Sequence, residues 1–113
     1  MAVSTERWRN ATLTIANGGT ETDELDLGLN GARRQMAMTI HGPSALTGTV
    51  KVQISNATGG TYRDLQTSGG ADINIGAGNS VTIDPLIGAA LKLVSDGAEG
   101  AERTFHIQGN AKS

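Results

Sequence analysis

The segment from Thr49 to Leu65, TVKVQISNATGGTYRDL, constrains the fold more than any other part of the sequence. Its first part alternates apolar and polar residues in the order Val50, Lys51, Val52, Gln53, Ile54, Ser55. A strand with this period of two places the apolar side chains on one face and the polar ones on the other. Five turn-forming residues follow, and then a second short run led by Tyr62. The pattern predicts a half-buried β-hairpin with Val50, Val52 and Ile54 facing inward.

The same alternation recurs along most of the chain. Further predicted strands lie at 12–16, 25–29, 36–40, 71–75, 81–83, 91–93 and 103–108. Turn signals such as Asn17-Gly18-Gly19 separate these runs, and Asp84-Pro85 is predicted to close one of them. The segments 33–40 and 86–93 also contain residues that favour helix, but their alternation favours strands.

Eight or nine short strands without a long helix predict an all-β fold, an antiparallel β-sandwich or jelly roll, with a closed barrel as the alternative. The length of 113 residues is typical of one domain. We assign an N-terminal arm to residues 1–10, the sandwich domain to 11–108 and a polar C-terminal tail to 109–113. The chain has only three aromatic residues, so its core is expected to be aliphatic.

Composition excludes several classes of function. The absence of cysteine excludes disulfides, thiolate metal sites and cysteine nucleophiles. A net charge of -2 without a basic stripe indicates that the chain does not bind nucleic acid. The apolar runs are far shorter than a membrane span, and the first residues lack the apolar centre of a signal peptide. We therefore expect a protein made in the cytoplasm that does not bind membranes.

The sequence offers little catalytic chemistry. His41 and His106 have no nearby second ligand or nucleophile in the sequence, so we interpret both as exposed polar residues. The acidic runs at 21–26 and 96–102 lack the ligand order of a calcium loop, and we expect solvated acids in both. We predict no catalytic residue, no metal site and no cofactor, and hence no enzyme.

Two arginine-containing segments are candidates for contacts with other chains. Arg7, Trp8 and Arg9 form the first, because tryptophan and arginine are enriched at binding hot spots. The alternative is that Trp8 closes one end of the core. Arg33 and Arg34 form the second, either as a contact to an acidic partner or as a solvated turn.

The β-hairpin pattern resembles that of the small β-sandwich or jelly-roll capsid cement proteins of tailed bacteriophages, also called decoration or staple proteins. The resemblance is carried by residues 11–18, 50–56, 60–65 and 90–95. It implies a structural virion protein on the outer capsid surface that clamps neighbouring subunits of the major capsid protein. It also implies a homo-oligomer, a dimer or a trimer. The alternatives are a tail, connector or head-fibre component of a phage and a carbohydrate-binding β-sandwich module.

Overall fold

The computed structural model describes residues 8–27, 36–86 and 88–111, with the backbone alone for Trp8, Arg9, Met36, Asn110 and Ala111. These residues form nine strands and contain no helix. The strands are β1 (Trp8–Ile15), β2 (Leu25–Asp26), β3 (Met36–His41), β4 (Val50–Ser55), β5 (Arg63–Asp64), β6 (Asn74–Ile75), β7 (Ser80–Leu86), β8 (Ala90–Ser95) and β9 (Arg103–Ala111).

The strands make two antiparallel sheets. The four-stranded sheet has the order β1-β9-β3-β7. The five-stranded sheet has the order β2-β8-β4-β5, and β6 pairs with β4 beside β5. Most connections cross from one sheet to the other, which is the connectivity of a jelly roll. The predicted antiparallel sandwich is therefore confirmed.

The core lies between the inner faces of the two sheets, where alternation predicted it. Val50 and Val52 of β4 are fully buried, as are Phe105 and Ile107 of β9. The remaining buried hydrophobic side chains are aliphatic, and Phe105 is the aromatic member of the described core. Burial of such side chains supplies most of the free energy that holds a sandwich together.

The predicted hairpin is present, with one exception on its polar face. β4 pairs antiparallel with β5, and Ile54 packs half-buried against the core. Ser55, predicted to face outward, is buried instead. Its hydroxyl donates to the Ala57 carbonyl at 2.8 Å and accepts from the Ala57 N–H at 3.2 Å, so the turn itself satisfies the hydroxyl.

Both ambiguous segments form strands, β3 and β8. The prediction that Asp84-Pro85 closes a strand is wrong, because β7 continues through it to Leu86. The register between β3 and β7 shifts between Met36 and Met38. An irregular position of this kind tolerates proline, which has no N–H to donate to the ladder.

Several strand ends differ from the predicted boundaries. β1 begins at Trp8 and β9 continues to Ala111, so their pairing reaches into the segments assigned as the arm and the tail. β2 is shorter than predicted and ends at Asp26, although Leu25 and Leu27 are both buried. Leu29 lies outside the described residues.

Candidate interaction surface

The contact residues predicted from the sequence fall largely outside the described part of the chain. Arg7, Arg33 and Arg34 lie in ranges that are not described. Trp8 and Arg9 open β1, and their backbones stand opposite Asn110 and Gly109 of β9. The contact role of all five residues stays a prediction.

The outer face of the four-stranded sheet is polar but almost free of charge. Its described side chains are hydroxyl, amide and imidazole groups together with the methyl group of Ala37, and Asp84 at one corner is the charged residue among them. The uncharged set is Asn10, Thr12, Thr14, Thr39, His41, Ser80, Thr82, Thr104, His106 and Gln108. We call this set the hydroxyl face. This face was not predicted from the sequence, although every member occupies an outward position of an alternating strand.

Cross-strand hydrogen bonds hold side chains of the hydroxyl face in place. The hydroxyls of Thr39 and Thr82 are 2.8 Å apart on neighbouring strands, and those of Thr14 and Thr104 are 3.2 Å apart. Directly opposed threonines of this kind stabilise an antiparallel pair. The face is therefore an ordered array of polar groups.

The two histidines stand directly opposite each other on β3 and β9. His106 is exposed, as predicted, whereas His41 is the last residue of β3 and only half-buried. His41 Nε2 donates to the Gln108 amide oxygen at 3.0 Å, so in the neutral ring Nδ1 accepts from the Ser80 hydroxyl at 2.6 Å. Both nitrogens of His41 are thus used within the sheet.

The outer face of the five-stranded sheet has the opposite character. Lys51 lies 3.1 Å from Asp72 and 3.7 Å from Asp64, and Lys92 lies 2.9 Å from Glu21. The hydrogen bond to Asp72 is the main reason that the pKa of Lys51 is raised. Exposed ion pairs contribute little stability individually. They do keep this face charged, unlike the hydroxyl face.

Tyr62 connects the acidic run at 21–26 to the hairpin turn. Its hydroxyl donates to Glu24, which also accepts the Gly59 N–H at 2.8 Å, and Lys92 lies 4.6 Å from the centre of the Tyr62 ring. The Tyr62 hydrogen bond, followed by that of Gly59, lowers the pKa of Glu24. Burial, followed by the hydrogen bond to Glu24, raises the pKa of Tyr62. Glu24 is exposed as predicted, but its carboxylate accepts hydrogen bonds from Tyr62 and Gly59.

Glu99 is the acid for which the sequence prediction is wrong. It was expected to be solvated, yet only 1 % of its surface is exposed. Oε1 accepts from the Thr47 N–H at 2.8 Å and from Arg103 Nε at 2.9 Å. Oε2 accepts from the Gly48 N–H at 2.9 Å and from the Ser95 hydroxyl at 2.8 Å. The carboxylate joins the loop before β4 to the loop after β8.

The backbone of Glu99 adds a third loop to this junction. Its carbonyl accepts from Gly18 at 2.7 Å, and its N–H donates to Gly19 at 3.0 Å. Burial alone would raise the pKa of Glu99, but the hydrogen bonds, led by those from Thr47 and Gly48, outweigh it and lower the pKa to about 2. Glu99 is therefore a structural anion at one end of the sandwich.

The described residues offer binding surface and no visible reaction centre. The carboxylate of Glu99 is enclosed and fully occupied by donors, so it is not placed to exchange protons with a substrate. No cluster of three or more histidine or acidic residues in the described ranges is arranged to hold a metal ion. Within the same ranges no helix is long and apolar enough to cross a membrane.

No family model matches the sequence, and no curated protein matches it. Among solved structures, the chain is similar to a protein of the Bacillus endospore appendages, described as a novel family of disulfide-linked pili. The TM-score is 0.58 at 14% identity, over 95% of this chain and 86% of that one.

The chain is also similar to part of the metallopeptidase IMPa of Pseudomonas aeruginosa, with a TM-score of 0.51 at 20% identity. That match covers 92% of this chain but only 13% of the peptidase. A weaker likeness, with a TM-score of 0.45 at 13% identity, is to the tobacco streak virus coat protein, over 97% of this chain and 88% of that one. At these identities the two stronger matches show a shared β-sandwich fold and nothing about activity.

Proposed function

We propose that this chain is a structural virion protein, a capsid cement or decoration protein of a tailed bacteriophage. In this role it binds the outer capsid surface and clamps neighbouring subunits of the major capsid protein. The observation that supports the proposal best is the contrast between the uncharged hydroxyl face and the ion-paired face on the other side of the sandwich.

The cost of removing water differs between the two faces. The centre of a protein interface is depleted of charged residues, because buried charges lose more hydration than buried hydroxyls or amides. The hydroxyl face offers donors and acceptors without fixed charge, and cross-strand bonds already order them. We assign this face to the capsid and the face with Lys51 and Lys92 to the solvent.

A protein that binds only the assembled shell stabilises that shell by mass action. Capsids that lack this chain should lose tolerance to heat and to low salt. Added wild-type protein should restore it. If capsids without the protein are equally robust, the clamping role is wrong.

The hydroxyl face is tested by introducing a charge into it. Thr82 is exposed on β7, so Thr82→Glu should fold normally but should bind purified capsids of the encoding phage at least tenfold more weakly. Thr61→Glu provides the matched control, because Thr61 is also exposed but lies beside the other sheet. Equal binding of the two variants would contradict the assignment of the face.

A second structural role, in a tail, connector or head fibre, is favoured by the likeness to the pilus protein over most of both chains. Electron microscopy of particles that carry a labelled copy separates the two roles by position. A label at capsomer joints supports the cement role, and a label on the tail or on fibres contradicts it.

The carbohydrate-binding alternative finds less support. Sugar-binding modules use exposed aromatic rings, whereas Phe105 is buried and the Tyr62 ring lies beneath Lys92. A glycan-array signal that is lost in Trp8→Ala would favour this alternative over the cement role.

A further inference from the structure

The open edges of the two sheets are not alike. Natural sheets protect an edge against pairing with other chains by keeping the strand short or by adding proline, charge or a bulge. At the edges of the five-stranded sheet, β2, β5 and β6 have two residues each. At one edge of the four-stranded sheet, β7 carries Pro85 and a register shift.

β1 has little of this protection. It has eight residues, WRNATLTI, without proline, and its charged residue, Arg9, stands at the second position. All eight residues of β1 pair with β9 in regular register. Within the described residues β1 pairs on this side alone, so its other side presents a long row of backbone donors and acceptors.

We propose that β1 is the edge through which two copies of this chain form a two-fold dimer, with β1 of one copy antiparallel to β1 of the other. Main-chain pairing of this kind is β-augmentation. The inference goes beyond the proposed function and holds wherever the protein is located.

The centre of β1 can pair with a second copy of itself so that polar residues oppose polar ones and apolar residues oppose apolar ones. Directly opposed residues of an antiparallel pair point to the same face of the sheet. The two-fold axis must therefore pass through a pair of equivalent residues, so that buried residues of one copy stand opposite buried residues of the other. With the axis at Thr12, that residue faces its own copy. Ala11 then stands opposite Leu13 of the second copy, and Asn10 opposite Thr14 of the second copy.

The axis at Thr12 is preferred over the neighbouring axis at Ala11 for one reason. Both set the charged Arg9 opposite a buried residue of the second copy, Ile15 with the axis at Thr12 and Leu13 with the axis at Ala11. Of the two, the axis at Thr12 creates an opposed threonine pair, which is a stabilising pair in antiparallel sheets. It also joins the two four-stranded sheets into one of eight strands, so that the two hydroxyl faces become continuous.

The test uses opposite charges at the axis. Thr12 is exposed in the single chain, so Thr12→Lys and Thr12→Glu should each fold normally. In the dimer each variant places two like charges face to face, and we expect its dissociation constant to rise at least tenfold. An equimolar mixture of the two variants places Lys opposite Glu and should restore a dimer with one copy of each.

Sedimentation velocity of the full chain measures these masses, and thermal unfolding of each variant checks its fold. Thr82→Lys, on the far edge of the same face, is the control and should dimerise like the wild type. A wild-type chain that stays monomeric at millimolar concentration would overturn the proposal. So would a trimer, a mass that grows without limit, or a mixture of the Thr12 variants that fails to dimerise.

Discussion

Replacement of Glu99 by glutamine tests whether this buried carboxylate holds the end of the sandwich together. Glutamine has nearly the same shape, so the change removes charge without opening a cavity. One of its two terminal groups is an NH₂, which cannot accept. Either the donors Thr47 and Arg103 or the donors Gly48 and Ser95 then face another donor.

The expected loss of stability follows from the pKa of Glu99. The pKa falls from an ordinary value of 4.5 to about 2 in the folded protein. That difference corresponds to ~3 kcal/mol of stabilisation of the folded state at neutral pH. A similar loss, on the order of 3 kcal/mol, is expected when a buried charge pair is broken by removal of one partner. We therefore expect Glu99→Gln to lower the free energy of unfolding by ~3 kcal/mol at pH 7.

The same pKa values set the pH range of the effect. A carboxyl group whose pKa is lower in the folded state stabilises that state above its unfolded pKa of 4.5. The stabilisation disappears as the pH falls towards the folded value of about 2. By pH 3 the wild type should have lost roughly 2 kcal/mol through this group. The Glu99→Gln variant lacks this part of the acid dependence.

Urea unfolding of both proteins between pH 7 and pH 3 gives the measurement. The difference between their unfolding free energies cancels the acid dependence of other carboxyls, including Glu24 and Asp72, whose pKa values are also lowered. Glu102→Gln is the control, because Glu102 is an exposed residue in the same loop and should change stability by less than about 0.5 kcal/mol. A difference between wild type and Glu99→Gln below about 1 kcal/mol, or one that does not shrink towards pH 3, would refute the structural role.

Two further variants test the packing beside Glu99 and the hydrogen bonding at the hairpin turn. Gly48→Ala should destabilise the protein by about 1–3 kcal/mol in urea unfolding, because its Cβ would collide with the Ser95 hydroxyl and lie 2.6 Å from Asp96 Oδ1. Gly97→Ala is the control, because a Cβ at Gly97 would meet no atom nearby, and this variant should have little effect on stability. Equal losses of stability in the two variants would contradict the predicted collision at Gly48. Tyr62→Phe removes the largest cause of the lowered pKa of Glu24, so that pKa should rise towards 4.5 in an NMR titration of the side-chain carboxyl, and an unchanged value would contradict the hydrogen bond.

Alternation in the sequence predicted the sandwich because it reports directly on burial. A strand between a core and water must place every second residue inside, and Val52 and Ile107 follow that rule. The same reasoning failed at Ser55, and the separate expectation that loop acids are solvated failed at Glu99. In both cases a polar group is buried because groups around it satisfy it by hydrogen bonding. Those partners come from residues brought together by the fold, such as Thr47 and Gly48 around Glu99. A single sequence does not display such a juxtaposition, although Arg103 four residues after Glu99 is a local signal of an ion pair.

The outward direction of each residue of the hydroxyl face could have been predicted from the sequence, but the face as one surface could not. Once Leu13, Ile40 and Phe105 are placed inside, alternation assigns Thr12, Thr39 and their equivalents to the outside. The sheet order was the missing step, because the sequence does not show that β1, β9, β3 and β7 are neighbours. Only that order turns separate uncharged positions into one surface.

The order of the four strands also places the two proposed contacts at right angles to each other. The hydroxyl face points away from the sandwich, whereas the edge of β1 that no described strand covers lies in the plane of the sheet. Pairing through β1 therefore leaves both hydroxyl faces open and directs them to the same side of the dimer. A dimer built in this way would meet a capsid with twice the contact area of one chain, so weak binding per chain would become stronger through avidity. It follows that Thr12→Lys should weaken capsid binding through loss of the dimer, whereas Thr82→Glu should weaken it with the dimer intact.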